Sequence, residues 1–305
     1  MSRLIRIGTR ASKLARAQAQ MVADALLLID PALTIETVAM TTAGDRELHK
    51  QLTDWGYKGL FTKELEDALL AGTIDLAVHS MKDMPSLLPA GLTIAGMLPR
   101  ADMRDAWVSP KYATLADAPK GATIGTSSAR RAAQLLHARP DVNVVPFRGN
   151  VETRLRKLGE GIADATFLAA AGLIRLGLDA HISSYLSPEE MLPAVAQGAI
   201  GIECRTDDAA IHELVLRISH EPTMNCLAAE RAFLELLDGS CRTPIAGLGV
   251  LEGDTLHLRG EVLSRDGLVR HSMELRGPKT DAAKIGIALG NELRQRAGEA
   301  LLKHG

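Results

Sequence analysis

The chain has 305 residues, 46% of them hydrophobic and 24% charged, with a formal net charge of −2. At about 150 residues per domain this length suggests two domains or three small ones. The composition excludes disordered, collagen-like and coiled-coil classes, and no stretch approaches the roughly 18 apolar residues of a membrane span. Near-neutral charge and 3% aromatic content leave no global basic field and few stacking platforms, so no nucleic-acid partner is expected. The cations are nevertheless uneven. There are 24 Arg against 11 Lys, and seven of the Arg fall between Arg130 and Arg175. Arg suits bidentate binding of carboxylate or phosphate, although for any single Arg surface solubility is the plainer reading.

The N-terminus lacks the apolar run and cleavage site of a signal peptide. Residues 4–7 read instead as a first strand, and an Ala/Leu/Gln-rich stretch of helical spacing runs from there to Leu28. Residues 33–40 alternate as a second strand. Residues 42–59 are polar and hold Gly44, Gly56 and Gly59, the composition of a long mobile loop. Residues 61–71 form an amphipathic pattern, with Thr62 a candidate cap and Gly72 past its end. Residues 74–78 read as a buried strand leading into His79-Ser80-Met81-Lys82-Asp83-Met84-Pro85. There Pro85 removes a donor and restricts Met84, so the chain must leave the sheet.

After a turn-rich stretch at 98–102, strands at 122–126, 142–147 and 165–169 alternate with helices at 128–138 and 151–158. That order implies βαβ units and a mostly parallel sheet. Leu192-Pro193 with Gln197-Gly198 marks a second crossing point, followed by a strand at 199–203 and a helix at 224–237. The grammar then changes. Strands at 245–251, 255–263 and 268–275, broken by Glu252-Gly253-Asp254 and Arg265-Asp266-Gly267, read as antiparallel hairpins before a closing helix at 281–302. The expected fold is two α/β lobes of periplasmic-binding-protein-like type with a double crossover, plus a small α+β C-terminal domain. The domains are expected at 1–98 with 199–216, at 104–192 and at 221–305.

Three strand-to-helix junctions carry similar chemistry: Gly8-Thr9-Arg10-Ala11-Ser12, Gly125-Thr126-Ser127-Ser128-Ala129-Arg130-Arg131, and Phe147-Arg148-Gly149-Asn150 followed by Thr153-Arg154. A helix N-terminus offers unpaired N–H groups and partial positive charge, to which hydroxyls and guanidinium groups add donors. Taken singly, Ser12, Thr126 and Ser128 read as helix caps. Three such junctions, each with Arg beside the cap, favour binding of separate anionic groups such as carboxylates. No Walker loop and no G-x-G-x-x-G occurs, which disfavours nucleotides. Asp83 beside Lys82 reads equally as a turn cap or as an acid that guides a proton or stabilises a cation. Cys241 lies in a Gly/Ser/Pro loop beside Arg242, where a cation lowers a thiol pKa. Cys204 and Cys226 read as buried small hydrophobes and His79 as a packed or hydrogen-bonded residue. No Cys-x-x-Cys pair offers a metal site, and the three scattered cysteines point to a reducing compartment.

Six segments occur in order: H-S-M-K-D-M-P (79–85), G-T-S-S-A-R-R (125–131), R-G-N-V-E-T-R (148–154), A-A-G-L-I-R-L (170–176), L-P-A-V-A-Q-G-A-I-G-I-E (192–203) and G-S-C-R-T-P (239–244). Together they closely resemble the hydroxymethylbilane synthase family, also called porphobilinogen deaminases, over essentially the whole chain. The resemblance implies a transferase that joins four porphobilinogen molecules head to tail, releases four ammonia, and yields hydroxymethylbilane. It implies a dipyrromethane cofactor held by a thioether to Cys241, on which the polypyrrole grows. Each pyrrole brings an acetate and a propionate, which accounts for an Arg-rich site in a nearly neutral chain. Carried over by position, Arg10, Ser12, Arg130, Arg131, Arg148, Arg154 and Arg175 are expected to bind these carboxylates. Ser80, Lys82, Thr126, Ser127, Ser128 and Gln197 are expected to line the same cleft.

The resemblance makes Asp83 the catalytic acid, stabilising the azafulvene-like cation formed as ammonia leaves. Lys58 and Phe61 belong to a lid loop. Asp54 stands where the family often has a second lysine, which weakens that loop's basic contribution. Asp105 follows the family pattern near the crossing as a structural residue. The resemblance further suggests a monomer working in the cytoplasm without metal, membrane or nucleic acid. A non-catalytic binder of small anions is the competing reading. The absence of an export signal, Asp83 and Cys241 stand against it.

Overall fold

The computed structural model describes residues 3–42, 62–237 and 243–304. In chain order it begins with β1 (Leu4–Arg10), α1 (Lys13–Ile29), β2 (Thr34–Met40), α2 (Lys63–Leu70), β3 (Leu76–Ser80) and β4 (Leu92–Met97). Next come β5 (Asp105–Val108), β6 (Thr123–Gly125), α3 (Ala129–Ala138), β7 (Asn143–Val145), α4 (Val151–Gly159), β8 (Ala165–Ala169), α5 (Ala170–Arg175) and β9 (Ser184–Tyr185). The chain ends with β10 (Ile200–Arg205), α6 (Ala209–Leu216), α7 (Glu221–Leu236), β11 (Ile245–Glu252), β12 (Thr255–Leu263), β13 (Arg270–Pro278) and α8 (Ala282–His304). Two compact units result: Met1–Ala101 with Ala199–Met224, and Asp102–Gly198 with Asn225–Gly305.

In the first unit, α1 buries Ala15, Ala19, Val22, Ala23 and Leu26, a stripe at three- and four-residue spacing. The stripe covers Ile5, Ile7, Val78, Ile200 and Ile202 of the sheet. On the other face Leu65 and Leu69 of α2 pack with Ile74 and Ala77. This packing explains Gly8, where a Cβ would stand 2.3 Å from Ile74 Cδ1 and 3.0 Å from Leu65 Cδ2 of α2. Strand order is β2-β1-β3-β10-β4. Helix α2 starts at Thr62 without a side-chain cap bond, contrary to the sequence expectation.

The second unit repeats the plan as β7-β6-β8-β5-β9. Strand β5 is buried on both faces, with Trp107 packing beside Ile124, Leu135 and Phe167, and Ala106 and Val108 beside Phe147, Leu168 and Leu173. In each sheet four of the five strands run in one direction, and one runs against them: β10, antiparallel to β3 and β4, and β5, antiparallel to β8 and β9. The sheets are therefore mostly parallel, as expected, with one opposed strand in each. The strand that follows each crossing returns against its neighbours, and strand direction leaves no mark in a local pattern.

In the C-terminal part α7 and α8 cover the antiparallel sheet β11-β12-β13. A Cβ at Gly260 of β12 would meet Leu289 Cδ2 and Phe233 Cζ, both at 2.8 Å. The two helices also touch through glycine: a Cβ on Gly286 would stand 2.2 Å from Ala229 O, and one on Gly290 2.6 Å from Leu236 Cβ. The β12–β13 turn packs on α3, where His137 Nδ1 lies 2.8 Å from Gly267 O, and Gly247 N donates to Pro193 O at 3.1 Å. By compactness this part groups with residues 102–198. Among the described residues no helix is long and apolar enough to cross a membrane.

Alanine at Gly286 should gain helix propensity yet lose overall, because the clash is with a backbone carbonyl that cannot swing aside. We expect a net destabilisation of about 1–3 kcal/mol, read as a lower thermal midpoint. Alanine at Gly159, where nothing lies within 4 Å, should instead be neutral or stabilising by up to ~1 kcal/mol. Equal midpoints for the two variants would contradict the packing described.

Candidate active site

In the first unit the sequence-predicted residues gather at the ends of β1 and β3. Ser12 caps α1, its Oγ accepting from Ala15 N at 3.3 Å. Buried Thr9 donates to Ala15 O at 3.0 Å, which pins the junction from within. Arg10 is half-buried at the end of β1. At the end of β3, the side-chain amide of Gln18 reaches Ser80 Oγ at 2.8 Å. Gln18 is buried on α1. Nothing local in the sequence singles it out, because 62 positions separate it from Ser80.

The chain then makes a short 3-10 turn, Met81–Asp83. Met81 and Met84 are 1% and 5% exposed, while Lys82 and Asp83 between them face solvent. Met81 N donates to Ala199 O and Met84 N to Met81 O. Burial of the two methionines therefore sets the outward direction of the acid and the base. His79, just before the turn, is buried with Nε2 2.9 Å from Glu203 Oε2, the hydrogen-bonded role its position suggests.

In the second unit β6 ends against the Phe147 ring, which would lie 2.5 Å from a Cβ at Gly125. Beyond it the three predicted hydroxyls have local partners. Thr126 Oγ1 accepts from Ser128 N at 3.2 Å, Ser127 Oγ from Phe147 N at 2.8 Å, and Ser128 Oγ from Arg131 N at 3.4 Å. Asn150 caps α4 by accepting from Thr153 N at 2.8 Å. Arg154 Nε donates to Gly149 O, and Lys157 Nζ to Arg148 O. Capping is thus realised at all three junctions, yet a cap satisfies only one of the four open N–H groups of a helix start.

Arg130 and Arg131, expected to bind carboxylates, lie in the first turn of α3. Both are buried against Asp105, which has no exposed surface. Arg131 donates through Nη2 and Nε to Asp105 Oδ1 at 2.6 and 3.1 Å, and Arg130 Nη2 lies 2.8 Å from Oδ2. Arg130 also donates to Leu192 O and Arg131 to Phe167 O. Burial alone would push the Asp105 carboxyl up, but the two guanidinium groups hold it well below the usual carboxylate range. Burial also lowers Arg130, with Asp105 opposing.

Gln197, 1% exposed, donates to Met103 O at 2.8 Å and to Asp105 Oδ1 at 3.1 Å. The next residue, Gly198, accepts from Arg175 Nη2 at 2.7 Å. Arg175 Nε is buried without a partner, and among the described residues no carboxylate pairs with it. Burial pushes its pKa down to about 10. Two guanidinium groups share the Asp105 carboxylate and, among the described residues, Arg175 has none beside it; buried Glu261, paired with Arg270, also acts on Arg130, yet guanidinium charge remains in excess. A ligand rich in carboxylates fits that donor set, and so do the acidic side groups of a dipyrromethane. Among the described residues no group of three His, Cys, Asp or Glu side chains could hold a metal ion. Cys241, Lys58, Phe61 and Asp54 lie outside the described residues.

A family model described as "Porphobilinogen deaminase, dipyromethane cofactor binding domain" matches residues 5–213, and one described as "Porphobilinogen deaminase, C-terminal domain" matches residues 224–295. The chain is 54% identical over 295 residues to a porphobilinogen deaminase from Paracoccus denitrificans, covering 96% of this chain and 94% of the relative. A porphobilinogen deaminase from Nitrobacter hamburgensis is 51% identical over 300 residues, covering 97% and 94%. Among solved structures, an ABC-transporter periplasmic substrate-binding protein from Coxiella burnetii overlaps 70% of this chain and 91% of its own, at a TM-score of 0.44 and 15% identity. Family models and relatives that agree along nearly the whole length lead to one conclusion, that the chain belongs to the porphobilinogen deaminase family.

Proposed function

We propose that this chain joins four porphobilinogen molecules into hydroxymethylbilane on a dipyrromethane cofactor tethered by a thioether to Cys241, with Asp83 as the catalytic acid. The observation that carries the reading is the unbalanced guanidinium charge of the second unit: Arg130 and Arg131 on the single carboxylate of Asp105, and Arg175 without one. Each pyrrole ring adds an acetate and a propionate, so the ligand supplies the missing negative charge. Arg10, Ser12, Ser80 and Lys82, and likewise Thr126, Ser127, Ser128, Arg130, Arg131, Arg148, Arg154, Arg175 and Gln197, take the carboxylates of cofactor and growing chain. Lys58 and Phe61 serve the lid over them.

When bound, the cofactor supplies a covalent primer with a free α-carbon. The protein does the rest by charge and position. Loss of ammonia from the aminomethyl group of porphobilinogen leaves a cation, and an ionised carboxylate beside it favours that charge as it develops. Asp83 suits this role because the two methionines hold its turn outward. The same carboxylate can assist the proton losses that restore each ring after carbon–carbon bond formation. We take the working state to be a cytoplasmic monomer. Cys204 and Cys226 are buried and not in a disulfide, which suits a reducing compartment, and burial pushes Cys204 up to about 11.

Intact mass tests the tether directly. Purified protein should be heavier than its sequence by a two-pyrrole adduct, and Cys241→Ser should remove the excess. Fully active protein of unmodified mass would end the proposal. Asp83→Ala should keep the adduct and lose steady-state turnover by about a hundredfold or more, whereas parental rates would remove Asp83 from the chemistry. Arg175→Gln should raise KM for porphobilinogen roughly tenfold, the equivalent of one lost charge-assisted hydrogen bond. An unchanged KM would detach Arg175 from carboxylate binding.

A further inference from the structure

Among the described residues, Ala196 is the one non-glycine with positive φ, at 61°. An L side chain in that region is strained and persists only where the surroundings enforce it. Ala196 is buried, and its N–H donates to Glu230 Oε2 at 2.6 Å. Glu230, on α7, has no exposed surface. Its other oxygen, Oε1, accepts from Gly249 N of β11 at 2.7 Å. At Gly249 the strand backbone lies close to α7, since a Cβ there would be 3.1 Å from Cys226 O. One buried carboxylate therefore takes a backbone donor from the crossing segment with one oxygen and one from the C-terminal sheet with the other.

The residues that follow Ala196 hold the guanidinium groups. Gln197 donates to Asp105, and Gly198, with φ 87°, accepts from Arg175. A change of backbone direction at Ala196 would move both contacts together. We infer that Glu230 is a positioning residue for carboxylate binding, which fixes the left-handed backbone of Ala196 and so aims Gln197 and Gly198 at the Asp105 and Arg175 centres. The inference rests on the reading of these guanidinium groups as the carboxylate site. Glutamate suits the task where glutamine does not, because a carboxamide would turn its own N–H donors toward one of the two backbone N–H groups.

The test uses adduct-bearing full-length protein and compares KM, kcat and thermal midpoint. Glu230→Gln should raise KM for porphobilinogen about tenfold while kcat stays within about twofold. Adding Ala196→Gly should recover most of that KM, because glycine reaches positive φ without enforcement. The midpoint should stay low, since the bond to Gly249 remains impaired. A merely structural role predicts the opposite, with KM and midpoint moving together and no rescue of KM. If Glu230→Gln fails to fold, Ala196→Val with Glu230 intact replaces it, since a β-branched residue resists positive φ. That variant should raise KM, and parental KM in folded Ala196→Val would overturn the inference. Arg175→Gln, measured alongside, separates the two levels. A normal KM for Arg175→Gln undoes the reading of the site itself. A raised KM there with a normal KM for Glu230→Gln undoes only the role of Glu230.

Discussion

Asp105 sits without exposed surface between the guanidinium groups of Arg130 and Arg131, and much of the second unit is organised around that contact. Burial of three charges is costly, and the attraction repays it only where geometry and additional hydrogen bonds are good. Here Leu192 O, Phe167 O and the Gln197 amide complete the shell. Removing one member of such a buried set typically costs ~3–5 kcal/mol, because it strands the others. Since the Asp105 pKa is depressed in the folded state, its contribution is present above the ordinary carboxylate range. It is lost only as pH falls through a value well below that range. The contact is therefore both a structural clasp and a source of unspent positive charge.

In the proposed function that surplus separates binding from chemistry. Arg130, Arg131 and Arg175 are held by carbonyls and by one carboxylate, so they are aimed before any ligand arrives, and preorganised donors lose little on binding. The acid at position 83 is in the opposite situation, exposed and carried on a short turn. A family that adds several acidic rings in one site needs a firm grip on side groups that are the same in every ring. In the proposed mechanism one carboxylate, that of Asp83, serves each addition in turn.

Much of this plan can be read from the chain, for reasons that are local. Alternation and helical spacing mark β1, α1, α3, α4, β8 and β12, and small polar residues beside Arg mark the starts of α1, α3 and α4. The ordered motifs point to the family. What escapes are relations between distant positions. Asp105 and Arg131 are 26 residues apart, Gln18 and Ser80 are 62, and Ala196 and Glu230 are 34. A pattern of neighbours holds no trace of such pairings. For the same reason the pairing of Arg130 and Arg131 with Asp105, buried on β5, is not legible beside their reading as carboxylate-binding residues. Strand β5, four residues long and buried on both faces, shows neither alternation nor length. The antiparallel sense of β10 depends on where the chain has travelled rather than on its composition.

The turn that carries Asp83 is seated by two thioether side chains and by main-chain hydrogen bonds, none of which involves the carboxylate. In the proposed mechanism folding and reactivity therefore draw on different atoms within the four residues from Met81 to Met84. In the role proposed for Asp83, chemistry at the carboxylate would leave the backbone beneath it in place. Substitution at that one position becomes a change of reagent on an unaltered mount.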